Sequence, residues 1–323
     1  MLSRLAESFF WLSRNVERAE TVARVLDVTH TRAMDIDGGG AWSQRAWRTA
    51  IAIATLSSTA SVELDDVPAA GAIERCAFDA RNPSSIVTAV GIARANAVGA
   101  RAELSTEVWE HLNELYLDVQ DQTWDADPRD GTSPFLRRVR DRCQAIAGVS
   151  DATLSHVDGW NFLQIGRYLE RGYVTARMLA TIDSLEDPWP EWQRLLEMCC
   201  ASVPFARTAT RLQHAGDAVA FLLFSSTFPR SLRFCVNEID AALHRISASP
   251  PRTYANEAEK HAGRLATAFN FADATDVLDE GLHPFLARTI ASFEALVRAI
   301  EGAYFPRIPV MPVPMSRSEI APA

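Results

Sequence analysis

From Leu5 to Leu26 the apolar side chains step by fours and threes: Leu5, Phe9, Leu12, Val16, Ala19, Ala23, Leu26. That spacing lays one apolar stripe along one face of an α-helix. Phe162, Ile165, Leu169, Gly172, Ala176 and Leu179 repeat the rhythm downstream. Alternating β-branched runs of the kind that predict strands are scarce, so the pattern predicts an all-α chain. Polar, Gly- and Pro-bearing stretches predict the breaks: 35–43 with Gly38 to Gly40, 121–133, 186–190 with Pro188 and Pro190, and 247–254 with Pro250 and Pro251. The Pro-rich stretch 304–323 predicts an extended tail.

The two stripes belong to a duplication. Arg14, Glu17-Arg18 and Ala23-Arg24 return at a constant spacing as Arg167, Glu170-Arg171 and Ala176-Arg177. Trp47 and Trp192 each open an apolar helix further on, and Asn82-Pro83-Ser84-Ser85-Ile86 is answered by Phe228-Pro229-Arg230-Ser231-Leu232. The residue after each Pro suits a helix start. The first of these helices is expected over 84–103, with Ile86, Val90, Ala93, Ala97, Ala100 and Leu104 as its inner stripe. A repeat of this size is a statement about architecture. It predicts a helical bundle built from two tandem repeats, 1–148 and 149–303, packed about a pseudo-two-fold axis in one body.

Composition narrows the function classes. The chain has 323 residues, 48% of them hydrophobic, enough for a sizeable core. Its net charge of −9 argues against nucleic acid as a partner, because phosphate binding needs a positive field. The five cysteines are odd in number and form no C-x-x-C pair, which fits a reducing compartment. The opening run Phe9 to Leu12 is short and flanked by Glu7 and Arg14, unlike a signal peptide, and no apolar run has the length of a membrane span. A cytoplasmic protein is expected, without a membrane partner. The seven histidines show no zinc-ligand spacing, and Asp125-x-Asp127 fails as a calcium loop because Arg129 and Leu136 occupy ligand positions. No phosphate-binding Gly-rich loop and no nucleophile elbow appears. No cofactor and no metal are therefore expected, and no catalytic residue is assigned.

Candidate chemistry rests on charge that stays in step between the copies. Arg14, Glu17, Arg18 and Arg24, with Arg167, Glu170, Arg171 and Arg177, lie opposite the Leu/Val/Ala stripe. Phe10, Trp11 and Val25 share that face, so it is expected to be partly buried. Buried charge must be paired, so Glu17 and Glu170 are each expected to hold an arginine. The remaining cations suit bidentate capture of a carboxylate or phosphate. A second group is Arg94, Asn96 and Arg101, with Trp109 and Asn113 on the following helix. The positions matching Arg94 and Asn96 in the second copy are Asp240 and Ala242, so the two halves differ there.

The start Met1-Leu2-Ser3-Arg4, the run Phe10 to Glu20 and Ala23-Arg24 resemble the bacterial alpha-E family of helical proteins with a Glu-Arg motif. Phe78-Asp79, Asn82 to Ile86, Ala93 to Ala97 with Arg101, and Trp109-Glu110-x-Leu112-Asn113 fit the same family. Ile165-Gly166-Arg167-Tyr168-Leu169-Glu170-Arg171 matches its second copy. The departures are Ser13-Arg14-Asn15 in place of Gly-Arg-Tyr, and Ala95 in place of Glu. The resemblance implies an all-helical protein that accompanies ATP-grasp-type ligases and transglutaminase-like proteins in peptide or amide-bond synthesis or modification. It carries no catalytic residue. The leading expectation is a non-catalytic helical partner of such a ligase. The alternatives are an enzyme or binding protein for a carboxylate- or phosphate-bearing substrate, with Glu17 as base, and a homo-oligomeric scaffold.

Overall fold

The computed structural model describes residues 3–35, 41–55, 68–122, 131–182, 184–186, 188–208, 214–250 and 253–305. Among these residues the secondary structure is helical throughout, with no strand. The elements are α1 Ser3–Asp35, α2 Ala41–Thr55, α3 Ala69–Ile73, α4 Ile86–Gly99, α5 Thr106–Asp121, α6 Thr132–Thr153 and α7 Asp158–Leu179. They continue as α8 Trp189–Met198, α9 Ser202–Thr208, α10 Ala215–Phe224, α11 Leu232–Ser247, α12 Glu257–Phe271, α13 Ala274–Glu280 and α14 Leu282–Tyr304. A π-helical turn, Glu74–Phe78, follows α3.

Two helices occupy the centre. α1 packs on α7, α4, α6 and α2, and α7 packs on α1, α11 and α14. Outside them α5 bridges α4 and α6, and α12 bridges α11 and α14. α1 is covered on nearly every side: Phe9, Leu12 and Ala19 of the apolar stripe are buried, and so are Arg14, Glu17 and Glu20 on the opposite face. An apolar stripe with a charged back ordinarily marks a surface helix. Here the charged back meets a second charged helix, so both faces find partners. One contiguous apolar core joins all these elements, with Phe10, Trp192, Phe205, Phe269 and Phe293 among its largest members.

α1 and α7 run parallel and close. A Cβ on Gly166 would overlap the Ser13 hydroxyl and the Phe10 carbonyl, and one on Gly159 would stand 2.8 Å from the Phe9 ring. Glycine at 166 thus sets the separation of the central pair.

Local chemistry explains where the outer helices begin. Ser85 caps α4 by accepting from Thr88 N at 3.2 Å, and Ser231 caps α11 by accepting from Phe234 N at 3.2 Å. Ser105 and Asn256 cap α5 and α12 in the same way. Asn82 fixes the approach to α4: its Oδ1 accepts from Ser84 N at 3.0 Å and its Nδ2 donates to the Arg75 carbonyl at 3.0 Å. The helix expected over 84–103 is shorter, Ile86–Gly99. Its cap is the second serine after the proline. Ala100 closes the helix, its N–H donating to the Asn96 and Ala97 carbonyls at 3.1 and 3.2 Å, and the cap of α5 at Ser105 takes up the turn that follows.

Three further expectations change. Pro190 lies in the first turn of α8, where its missing N–H costs nothing, so that segment starts a helix. Trp47 lies mid-way along α2, whereas Trp192 lies near the start of α8. α6 runs through residue 148 to Thr153, and the chain turns at 154–157. The Gly38–Gly40 loop, Asp125-x-Asp127, Pro251 and the Pro-rich stretch from 306 onward lie outside the described residues. No described helix is long and apolar enough to cross a membrane.

Candidate functional site

The duplicated Glu-Arg sequences meet at the interface of α1 and α7. Arg14 Nε donates to Glu170 Oε2 at 3.0 Å. Arg18 donates to both oxygens of the same carboxylate, from Nε at 2.8 Å and from Nη2 at 3.1 Å. The reverse pair is also made: Arg171 Nε donates to Glu17 Oε1 at 2.7 Å. Arg230, just before the start of α11, lies 3.1 Å from Glu17 and donates to Glu20 Oε2 at 2.8 Å. Glu20 also accepts from Arg24, one turn along α1, and from Gln144 Nε2 at 3.3 Å.

Five arginines therefore share three carboxylates in an interior where Glu170 is 0% and Glu20 2% exposed. Aromatic faces take part of the remaining positive charge. Arg14 lies 4.9 Å from the Trp11 ring centroid, and Arg171 lies 5.6 Å from that of Tyr168.

The electrostatics favour the ionised state. Burial alone would raise the Glu20 carboxyl, but Arg230 and Arg24 outweigh it and bring its pKa down to about 2. Glu170 moves the same way, burial being overcome by Arg18 and Arg14. Burial works against Arg171 and Arg230, and their glutamate neighbours raise both above the ordinary arginine value. At Arg14 burial prevails over Glu170 and lowers the guanidinium, which still carries its charge at neutral pH.

The remaining sequence candidates divide. Arg167, the counterpart of Arg14, turns outward to Asp151 Oδ2 at 3.0 Å, Gln164 Oε1 at 3.2 Å and the Ala147 carbonyl at 3.3 Å. Arg177 donates to the Ala52 carbonyl at 3.0 Å and lies over Tyr173. Neither joins the central network, and Arg24 reaches it only through Glu20. Glu20 and Arg230 are the members that the sequence reading did not single out. The i,i+4 spacing of Glu20 and Arg24 was one available signal. Arg230 had none, because its position matches Ser84 in the first copy.

A second group forms on the outside. Arg94 Nε donates to Asn113 Oδ1 at 3.0 Å, and its guanidinium lies 5.6 Å from the Trp109 ring centroid and 4.5 Å from that of Tyr116. Arg101 lies 5.2 Å from the Trp109 centroid. Asn96 stays apart and donates to the Ile92 carbonyl of its own helix.

Three cavities formed by described residues lie elsewhere. One of 720 Å³ is walled by Leu5, Phe9, the 102–105 turn and the start of α7. One of 690 Å³ is walled by Glu74, Arg75, Phe78 and Asp79 to Pro83 apart from Ala80, with Thr55 and Gly71. One of 450 Å³ lies among Asp27, Arg32, Arg137 and Glu197. None of the central Glu-Arg residues lines any of the three. Among the described residues no group of three or more His, Cys, Asp and Glu side chains is arranged to hold a metal, and all five cysteines are free thiols.

Residues 1–305 match the model of a family, Alpha-E, described as a predicted alpha-helical domain with a conserved ER motif. Curated relatives include the uncharacterised proteins Rv2567 of Mycobacterium tuberculosis strain H37Rv and Mb2597 of Mycobacterium bovis. Each is 25% identical over 338 residues, a match covering 92% of this chain and 36% of the relative. The chain thus spans about a third of the length of these relatives. No solved structure matches.

Proposed function

The chain belongs to the Alpha-E family, and we propose that it is a non-catalytic helical partner of an ATP-grasp-type ligase in peptide or amide-bond synthesis or modification. One observation carries the non-catalytic half of this reading. The repeated Glu-Arg groups are buried, paired with one another across α1 and α7, and absent from the walls of the three cavities described above. A general base must come within hydrogen-bond reach of a substrate proton, and Glu17 is enclosed by Arg171 and Arg230 instead. The motif acts as a clasp between two halves of a scaffold.

The architecture proposed with it is a pair of tandem repeats, α1–α6 and α7–α14, about a pseudo-two-fold axis between α1 and α7. Two features support it. Arg18 pairs with Glu170 while Arg171 pairs with Glu17, the reciprocity of an isologous interface. The neighbours also correspond: α4, α5 and α6 stand to α1 as α11, α12 and α14 stand to α7.

The partner half rests on family resemblance. It is supported by the mycobacterial relatives, in which the matching segment is part of a much longer chain, as suits a domain that works joined to others. A transglutaminase-like protein is the second partner proposed, and the cytoplasm, which supplies ATP and keeps thiols reduced, is the proposed place. The test is affinity purification from the native host with mass spectrometry, followed by ligase assays with and without this protein. Recovery of the ligase and slower turnover without the helical protein are expected. No association together with unchanged ligase turnover would overturn the reading.

A further inference from the structure

The α4–α5 surface carries donors without acceptors. Arg101 is exposed and has no hydrogen bond or carboxylate within ion-pair distance among the described residues. Arg94, half-buried, spends only its Nε, on Asn113 Oδ1; among the described residues its two terminal nitrogens have no acceptor, and neither has Asn113 Nδ2. The Trp109 and Tyr116 rings hold the Arg94 guanidinium in place, and Trp109 also lies within cation–π range of Arg101. These positions are not a general feature of the fold. The residue matching Arg94 in the second half is Asp240 on α11, whose carboxyl burial pushes upward.

Charge around the patch limits what it takes. Glu103, Glu107, Glu110 and Glu114 lie in the same turn and helix, on a chain of net charge −9. A multiply charged phosphate or a polyacidic strand meets repulsion there, whereas a single carboxylate gains a bidentate arginine contact at lower cost. The half-exposed rings beside it suit the apolar part of a peptide.

We infer that this surface docks a peptide through one free carboxylate, with Arg101 as its anchor and with Arg94 and Asn113 as donors held in place behind it by Trp109 and Tyr116. The inference does not depend on which ligase, if any, the protein accompanies, so the pull-down and the experiment here fail separately. The probe is an alanine–phenylalanine octapeptide with a dansyl label, uncharged at neutral pH, on its N-terminus, made in four forms: acid or amide at its C-terminus, glutamate or glutamine at one internal position. Fluorescence anisotropy with the full chain reads binding. The three forms with a carboxylate are expected to bind and the neutral form is not; the two singly charged forms tell a C-terminal from a side-chain carboxylate. Arg101→Gln, at an exposed position, is expected to weaken binding about tenfold, equal to about 1.4 kcal/mol, while circular dichroism shows an unchanged melt. Equal binding of neutral and charged forms, binding of none, or wild-type affinity in Arg101→Gln would overturn the inference. So would competition by inorganic phosphate at lower concentration than by acetate, which would reassign the patch to phosphate.

Discussion

Glu20 and Glu170 show why the central charges are a stability feature. Each carboxylate has lost its water and regained it as arginine donors. Removing the acid leaves guanidinium groups buried without a counter-charge, which is far costlier than the pair itself is favourable. Glu170→Gln, which strands Arg14 and Arg18 together, is expected to lower unfolding free energy by about 3–5 kcal/mol in urea denaturation. An unaltered urea midpoint would argue that the cluster is solvated. The pH dependence follows with its sign. The Glu20 carboxyl falls from 4.5 to about 2 on folding, so its stabilising contribution is complete above about pH 4.5. It is lost as pH drops toward 2, because the unfolded chain then binds the proton first. Glu170, lowered in the same direction, adds to that slope. A thermal-melt series from pH 6 to pH 2 is expected to be flat at first and to fall steeply below about pH 4.5; a fall centred near neutrality would contradict it.

At the scale of elements, the close approach of α1 and α7 depends on Gly166. Gly166→Ala must displace the Ser13 side chain and the α1 backbone at Phe10, and overpacking of this kind costs typically about 1–3 kcal/mol. A Tm drop of several degrees is expected; Gly148→Ala, where a Cβ meets nothing within 4 Å, serves as the control and is expected to melt unchanged or slightly higher. Much of this level was legible in the sequence. The four-and-three stepping gave α1 and α7, and the aromatic residues on their charged faces predicted that those faces would not be left to water. The Asn-Pro-Ser-Ser segment located the start of α4 to within two residues, at Ser84 against Ile86. What could not be read depends on contacts between distant segments. Arg230 enters the network because α11 begins beside α1, a fact of tertiary packing. Arg167 leaves it because Asp151, on the preceding helix, lies within reach. The short helices α9, α10 and α13 and the π-helical turn at 74–78 carry too few residues for a periodic signal.

Across the whole molecule, the Glu-Arg pairs join the two central helices α1 and α7, and the proposed repeats differ on their outer surfaces. Arg94 and Asp240 stand at matching positions with opposite charge, so the docking inferred above uses one outer surface, whereas the Glu-Arg pairs draw on both α1 and α7. The most direct measurement is a pair of double-mutant cycles in urea unfolding. One uses Arg18→Met with Glu170→Gln; the other uses Arg171→Met with Glu17→Gln. The account predicts coupling of about 1.5–3 kcal/mol in each cycle, with each single change strongly destabilising. Single changes within about 0.5 kcal/mol of the wild type, and coupling below about 0.3 kcal/mol in either cycle, would contradict it.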